Sequence, residues 1–193
     1  MKNQIKTAPA SEPVSLSEAR AYIGIVSTND NCRDDIIATH ITAARLWAEQ
    51  YTRRAFVTQT WELFLDVFTD QISLLGPLQS VTSIKYYDVN GTQQTLSTSV
   101  YRADIVGSAI NLITGQSWPV TDGRANCIAI EYVSGYLTVP QDIRTAIKFM
   151  IDHWERFQKS IDGGRVSTIP YAVTQLLDGY RDMRGYFNSE IQR

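Results

Sequence analysis

The hydrophobic period of this chain changes twice, and that constrains its fold more than any other feature. In DDIIATHITAARLWAEQYTRRAF, Ile37, Ile41, Ala44, Trp47, Ala48 and Tyr51 recur at three and four residues, the stripe of a helix of about five turns. In QTWELFLDVF the period falls to two, with Trp61, Leu63, Leu65 and Val67 alternating with Glu62, Phe64, Asp66 and Phe68. In VPQDIRTAIKFMIDHWERFQ the helical period returns, with Ile143, Ala146, Ile147, Met150, Trp154 and Phe157 on one side. A single amphipathic helix is unstable unless its stripe is buried, so helices before and after the strands must share a core. The fold class expected is α+β: a small helical bundle of about four helices, with an antiparallel β-rich lobe inserted between the second and third.

The remaining signals fill in this frame. Ser15 stands three residues before Glu18, the spacing of a capping box, and Gly24 can end the short helix that follows. Asp34 or Asp35 can cap the long helix, and Arg53 and Arg54 fall at its C-terminal end, where the helix dipole favours cations. Asn90-Gly91 between two alternating runs marks a hairpin, and residues 58–136 hold about five to seven short strands. Pro140 suits a helix first turn, Gly163-Gly164 breaks the chain, and Pro170 starts a last short helix. The organisation expected is a flexible arm over 1–13, a discontinuous helical domain over 14–57 and 137–180, the inserted lobe over 58–136 and a C-terminal tail over 181–193.

Composition narrows the function. The 193 residues are 44% hydrophobic and 20% charged with a formal net charge of -2, so no global basic field marks a nucleic-acid binder. No apolar run reaches the roughly 20 residues of a membrane helix, and MKNQIKTAPASEP lacks the apolar centre of a secretory signal, so no membrane partner and synthesis in the cytoplasm are expected. Cys32 and Cys127 are isolated and read as reduced thiols.

The densest chemistry is Asp152, His153, Glu155 and Arg156. Neighbouring helical residues point about 100° apart, so Asp152 and His153 form no dyad, and Asp152–Arg156 reads as a surface ion pair. His153 then flanks an apolar stripe, and His40 reads as a histidine at a helix seam. Two histidines without placed carboxylates make no metal site. Nucleophile-elbow, phosphate-loop, dinucleotide-loop and zinc-helix patterns are missing from the sequence. Trp61, Trp118 and Trp154 could be platforms for a sugar or a base, but read more simply as core or loop plugs. Neither catalytic residues, nor a metal, nor a cofactor is expected.

Several segments together resemble the head–tail connector (adaptor) proteins of long-tailed bacteriophages and prophages. They are EPVSLSEARAYI, DDIIATHITAARLWAEQYTRRAFVTQTWEL, LGPLQSVTSIKYYDVNGTQQTL, GQSWPV and YVSGYLTVPQDIRTAIKFMIDHWER, in that order within residues 12–180. The resemblance implies a structural virion protein of the neck, not an enzyme. It would attach beneath the portal protein as a ring, typically of about twelve copies, extend the channel for genomic DNA without sequence-specific binding, and dock a tail-side connector, stopper or tail terminator protein. A ring protein works through surfaces, and aromatic anchors for the portal or a neighbouring subunit are expected at Tyr180, Tyr186 and Phe187. Arg53, Arg54, Lys148 and Arg156 are the pore-lining candidates. Two other classes stay open: a carbohydrate- or protein-binding module using the lobe with Trp118 as platform, and a hydrolase whose carboxylates meet only in the fold.

Overall fold

The computed structural model describes residues 2–25, 31–158 and 170–184, and the side chains of 31, 32, 157 and 158 lie outside what it describes. The chain divides into two compact units, Met1–Ala10 with Val57–Leu137, and Ser11–Phe56 with Thr138–Arg193.

The second unit is helical: α1 (Leu16–Tyr22), α2 (Asn31–Thr52), α3 (Gln141–Gln158) and α4 (Tyr171–Asp178). At α1 the Ser15 side chain accepts from the Glu18 N–H and Glu18 reaches back to the Ser15 N–H, so the expected capping box is formed. Asp34 is not the cap of α2, because the helix begins at Asn31; from the first turn it accepts two bonds from Arg20 at 2.7 and 2.8 Å instead. Ile37, Ile41, Ala44 and Ala48 of α2 are buried, as are Ile143, Ala146, Ile147, Met150 and Ile151 of α3 and Val173 and Leu177 of α4. Each large aliphatic side chain so buried contributes about 1.5–3 kcal/mol.

Trp47 and Tyr51 lie at the margin of the α2 stripe and stack on each other at 5.1 Å. Arg45 and Thr52 are buried on the stripe instead. Arg45 donates to Glu12 Oε2 (2.7 Å) and to Glu49 Oε2 (2.8 Å), Thr42 donates to Glu12 Oε1 (3.0 Å), and Glu49 Oε1 accepts the Phe56 N–H (2.7 Å). The Arg45 guanidinium thereby fastens the chain before α1 to α2 through Glu12, and the Glu49 carboxylate fastens the chain after α2 to the last turn of that helix.

The first unit is the β lobe: β1 (Lys2–Thr7), β2 (Gln59–Leu65), β3 (Gln71–Ser73), β4 (Leu78–Tyr87), β5 (Gln93–Thr95), β6 (Tyr101–Asp104), β7 (Ala109–Leu112) and β8 (Ile128–Ser134). Five strands form one sheet in the order β1-β2-β8-β4-β5 and three form another in the order β3-β7-β6, with antiparallel pairing throughout. The insertion lies between α2 and α3, and the Asn90-Gly91 turn joins β4 to β5 as the dipeptide implied. Leu63, Ile84, Ile128, Ile130 and Tyr132 from the large sheet and Ile72, Tyr101 and Ile110 from the small one enter a single buried cluster. The Cys127 thiol is buried and donates to the Asp66 carbonyl at 3.0 Å.

Residues 2–7 are not a flexible arm: they form β1, paired along β2 from Lys2 opposite Phe64 to Thr7 opposite Thr60. All six side chains of β1 are exposed, so no apolar alternation announces the strand. What holds it is backbone pairing on the otherwise open edge of β2, a Lys6–Glu131 ion pair at 2.6 Å, and one side chain. The hydroxyl of fully buried Tyr132 accepts from the Asn3 amide at 2.8 Å and donates to its oxygen at 3.1 Å, and burial pushes the Tyr132 pKa up to about 12. Residues 11–14 are held as well, through Glu12 and fully buried Val14.

Candidate functional site

The helical unit gathers charge at the C-terminal end of α2. Arg53 sits in the left-handed region at φ 55, and the Arg54 N–H returns to the Glu49 carbonyl at 3.2 Å. This is a Schellman-type ending in which the residue after the cap is usually glycine. Onto it folds the chain following α4. The Asp182 N–H donates to the Thr52 carbonyl (2.8 Å), Tyr51 donates to Asp178 (2.6 Å), and the Arg181 guanidinium lies 4.9 Å from the Tyr51 ring centre. Arg184 donates through Nε to Asp182 at 2.9 Å, and this bonding, with the charge of Arg54 acting in the same sense, holds the Asp182 carboxyl below its usual range against the effect of burial. Arg53, Arg54, Arg181 and Arg184 thus gather at this end together with Asp178 and Asp182.

Of the candidate residues, Arg53, Arg54 and Tyr180 belong to this end. The Tyr180 hydroxyl donates to Asp142 at 3.2 Å, so its ring is held by α3 and is half-buried. Residues 181–184 are fastened here rather than forming the start of a free tail, because the Asp182 N–H bonds to α2, Arg181 pairs with Asp178 of α4, and Arg184 closes back on Asp182. Lys148 and Arg156 belong elsewhere: Lys148 stands 5.6 Å from the Tyr22 ring centre, and Arg156 bonds Asp152 at 2.9 Å. Tyr186, Phe187 and Gly163-Gly164 lie outside the described residues.

Keeping arginine at position 53 costs backbone energy that glycine would not. Arg53→Gly is expected to stabilise the helical unit by about 1 kcal/mol, read as a rise in melting temperature of about 2–4 °C. An unchanged or lower melting temperature would show that the Arg53 side chain contributes more to the fold than its backbone costs.

His153 is half-buried, and burial lowers its pKa, with the Asp152 charge opposing. The carboxylate that matters structurally is Glu155, buried on the same helix, with His40 Nδ1 3.2 Å away and Arg33 Nη2 donating at 3.4 Å. Trp154 packs edge-on against His40 at 5.8 Å. His40 is therefore a histidine of the α2–α3 seam. Glu155 lies four residues after Ile151 and eight after Ile147, so an acid within an apolar stripe was the signal that a cation must face it. Among the described residues, no three of His, Cys, Asp and Glu come together as metal ligands. The Trp118 ring lies flat on Phe68 at 4.7 Å and packs against the lobe core, so it is a loop plug rather than an open platform.

The described residues thus form a packed helical unit and a small two-sheet lobe. Residues 13–183 match the model of the head completion protein family, and the chain belongs to that family. No curated protein matches it. Its fold is similar to that of a chain in the neck of an empty gene transfer agent particle computed with C6 symmetry, at 18% identity and TM-score 0.75, over 95% of this chain and 97% of that one. A chain in the native gene transfer agent virion gives 17% and 0.76, and one in the native neck computed with C12 symmetry gives 18% and 0.74, each with the same coverage.

Proposed function

We propose that this chain is a structural protein of the virion neck, an adaptor that forms a ring beneath the portal and carries the DNA channel toward the tail. The observation that carries the reading is the family match over residues 13–183, together with a fold similarity to neck chains that covers 95% of this chain. The C12 symmetry of one such neck supports a ring of twelve. Heterologous contacts close into a ring only when each subunit holds its angle, and the Glu12–Arg45–Glu49 clamp and the Glu155 seam supply that stiffness.

The arginine-rich end of α2 is the part offered here for the channel. Arg53 and Arg54 are offered for that role because Arg181 and Arg184 gather beside them, whereas Lys148 and Arg156 stand apart at Tyr22 and Asp152. Offset by neighbouring aspartates, this end would meet DNA weakly, as passage without sticking requires. Tyr180, Tyr186 and Phe187 serve as anchors to the portal or the next subunit.

Purified protein alone and mixed with portal-bearing, DNA-filled heads is the test, read by mass measurement and by particle imaging. The protein alone is expected as a monomer or small oligomer, and rings are expected on heads. Removal of residues 185–193, which spares the fastened 181–184, is expected to lower attachment by about tenfold or more. Unchanged attachment removes Tyr186 and Phe187 from the contact, and failure of the full chain to bind heads removes the adaptor reading itself.

A further inference from the structure

A helix on a protein surface ordinarily turns charged residues outward. On α2 the exposed residues between Asp35 and Arg53 are Ile36, Ala38, Thr39, Ala43, Leu46 and Gln50, and none is charged. The charges of that stretch, Arg45 and Glu49, turn inward onto Glu12 and the Phe56 N–H. Ala38, Thr39, Thr42, Ala43 and Leu46 line a shallow hollow on this face. The same helical unit carries an exposed aromatic: Tyr171, the first residue of α4, is 75% exposed beside exposed, uncharged Ala172 and Gln175.

We propose that the uncharged face of α2 is the subunit–subunit contact of the ring, and that its hollow receives Tyr171 of the next copy. This rests on the adaptor reading and specifies which surfaces close the ring. A second copy is the occupant because a head-to-tail contact needs two different patches on one chain, and here hollow and tyrosine lie on different helices. Small side chains let an aromatic ring approach the helix closely, and burying two uncharged patches strands no ion. The hydroxyls of Thr39 and Thr42 donate to the Asp35 carbonyl and to Glu12, so their oxygens are open to accept a tyrosine hydroxyl.

Ala43→Arg and Tyr171→Ala, each in the full chain, test the contact on portal-bearing heads. Both positions are exposed, so melting temperatures should stay at the wild-type value while ring formation falls by about tenfold or more. An Ala43→Cys, Tyr171→Cys pair, oxidised in assembled necks, should give a ladder of covalent multimers that neither single variant gives. Wild-type levels of ring formation by both disruptive variants overturn the contact while leaving the adaptor reading in place. Loss of assembly without a cysteine ladder also overturns it, because the α2 face would then meet another protein. If the wild-type chain forms no ring on heads, the adaptor reading fails and the contact falls with it.

Discussion

Glu49→Ala is expected to lower the stability of the helical unit by about 3–5 kcal/mol. The Glu49 side chain is 10% exposed and its two oxygens do different jobs. Oε2 faces the Arg45 guanidinium, itself 6% exposed, and Oε1 accepts the N–H of Phe56, a fully buried residue. Alanine leaves that N–H without its partner, at about 1–3 kcal/mol, and removes one of two carboxylates from a buried cation, at a similar cost. Glu12 still holds Arg45 at 2.7 Å, which keeps the loss below that of a wholly stranded charge. Glu49→Gln can keep the Phe56 bond and should cost about half as much. Chemical denaturation followed by helix signal measures both variants, and a loss under about 1 kcal/mol for alanine would mean that the clamp is ornamental. The functional corollary is that Glu49→Ala necks should attach to heads less completely as temperature rises, since the clamp fixes the chain on either side of α1 and α2.

The second large effect belongs to the lobe. Gly135 follows β8 at φ +129, and a Cβ placed there would lie 2.2 Å from the Val57 carbonyl oxygen and 2.6 Å from the Thr58 nitrogen. Those are backbone atoms, and they cannot move away cheaply. Val57 bridges to Tyr136, and the Gln79 side chain clamps the Gly135 carbonyl at 2.7 Å and the Thr58 hydroxyl at 2.8 Å. Gly135→Ala is therefore expected to cost about 4 kcal/mol or more, seen as loss of the folded lobe in a melting curve or as loss of soluble protein. Gly91→Ala is the control: its φ is +73 but nothing lies within 4 Å of the added carbon, so strain alone should cost about 1 kcal/mol. Equal losses at the two positions would show that conformation, not the close backbone approach, sets the requirement at Gly135.

Much of this architecture was legible in the sequence because period and punctuation are local. The stripes of α2 and α3, the Ser15–Glu18 box and the Asn90-Gly91 hairpin each depend on residues near one another in the chain. The departures are of another kind. β1 has no apolar alternation to read, since its role is to satisfy the edge of β2 and the Tyr132 hydroxyl, more than fifty residues away. Arg45 and Glu49 look like surface charges until their partners are known. The bareness of the α2 face likewise emerges only once Arg45 and Glu49 are seen to turn inward.

By itself the sequence determined the element types, their order, and the insertion of a β lobe between two halves of a helical unit, because burial of an apolar stripe is dictated by its own spacing. Tertiary structure alone decided which charges are interior, which strand closes the lobe edge, and which helix face is left without charge. Those outcomes depend on pairing between distant residues: desolvating an ion or leaving an amide unpaired is tolerable only where another part of the chain supplies the partner.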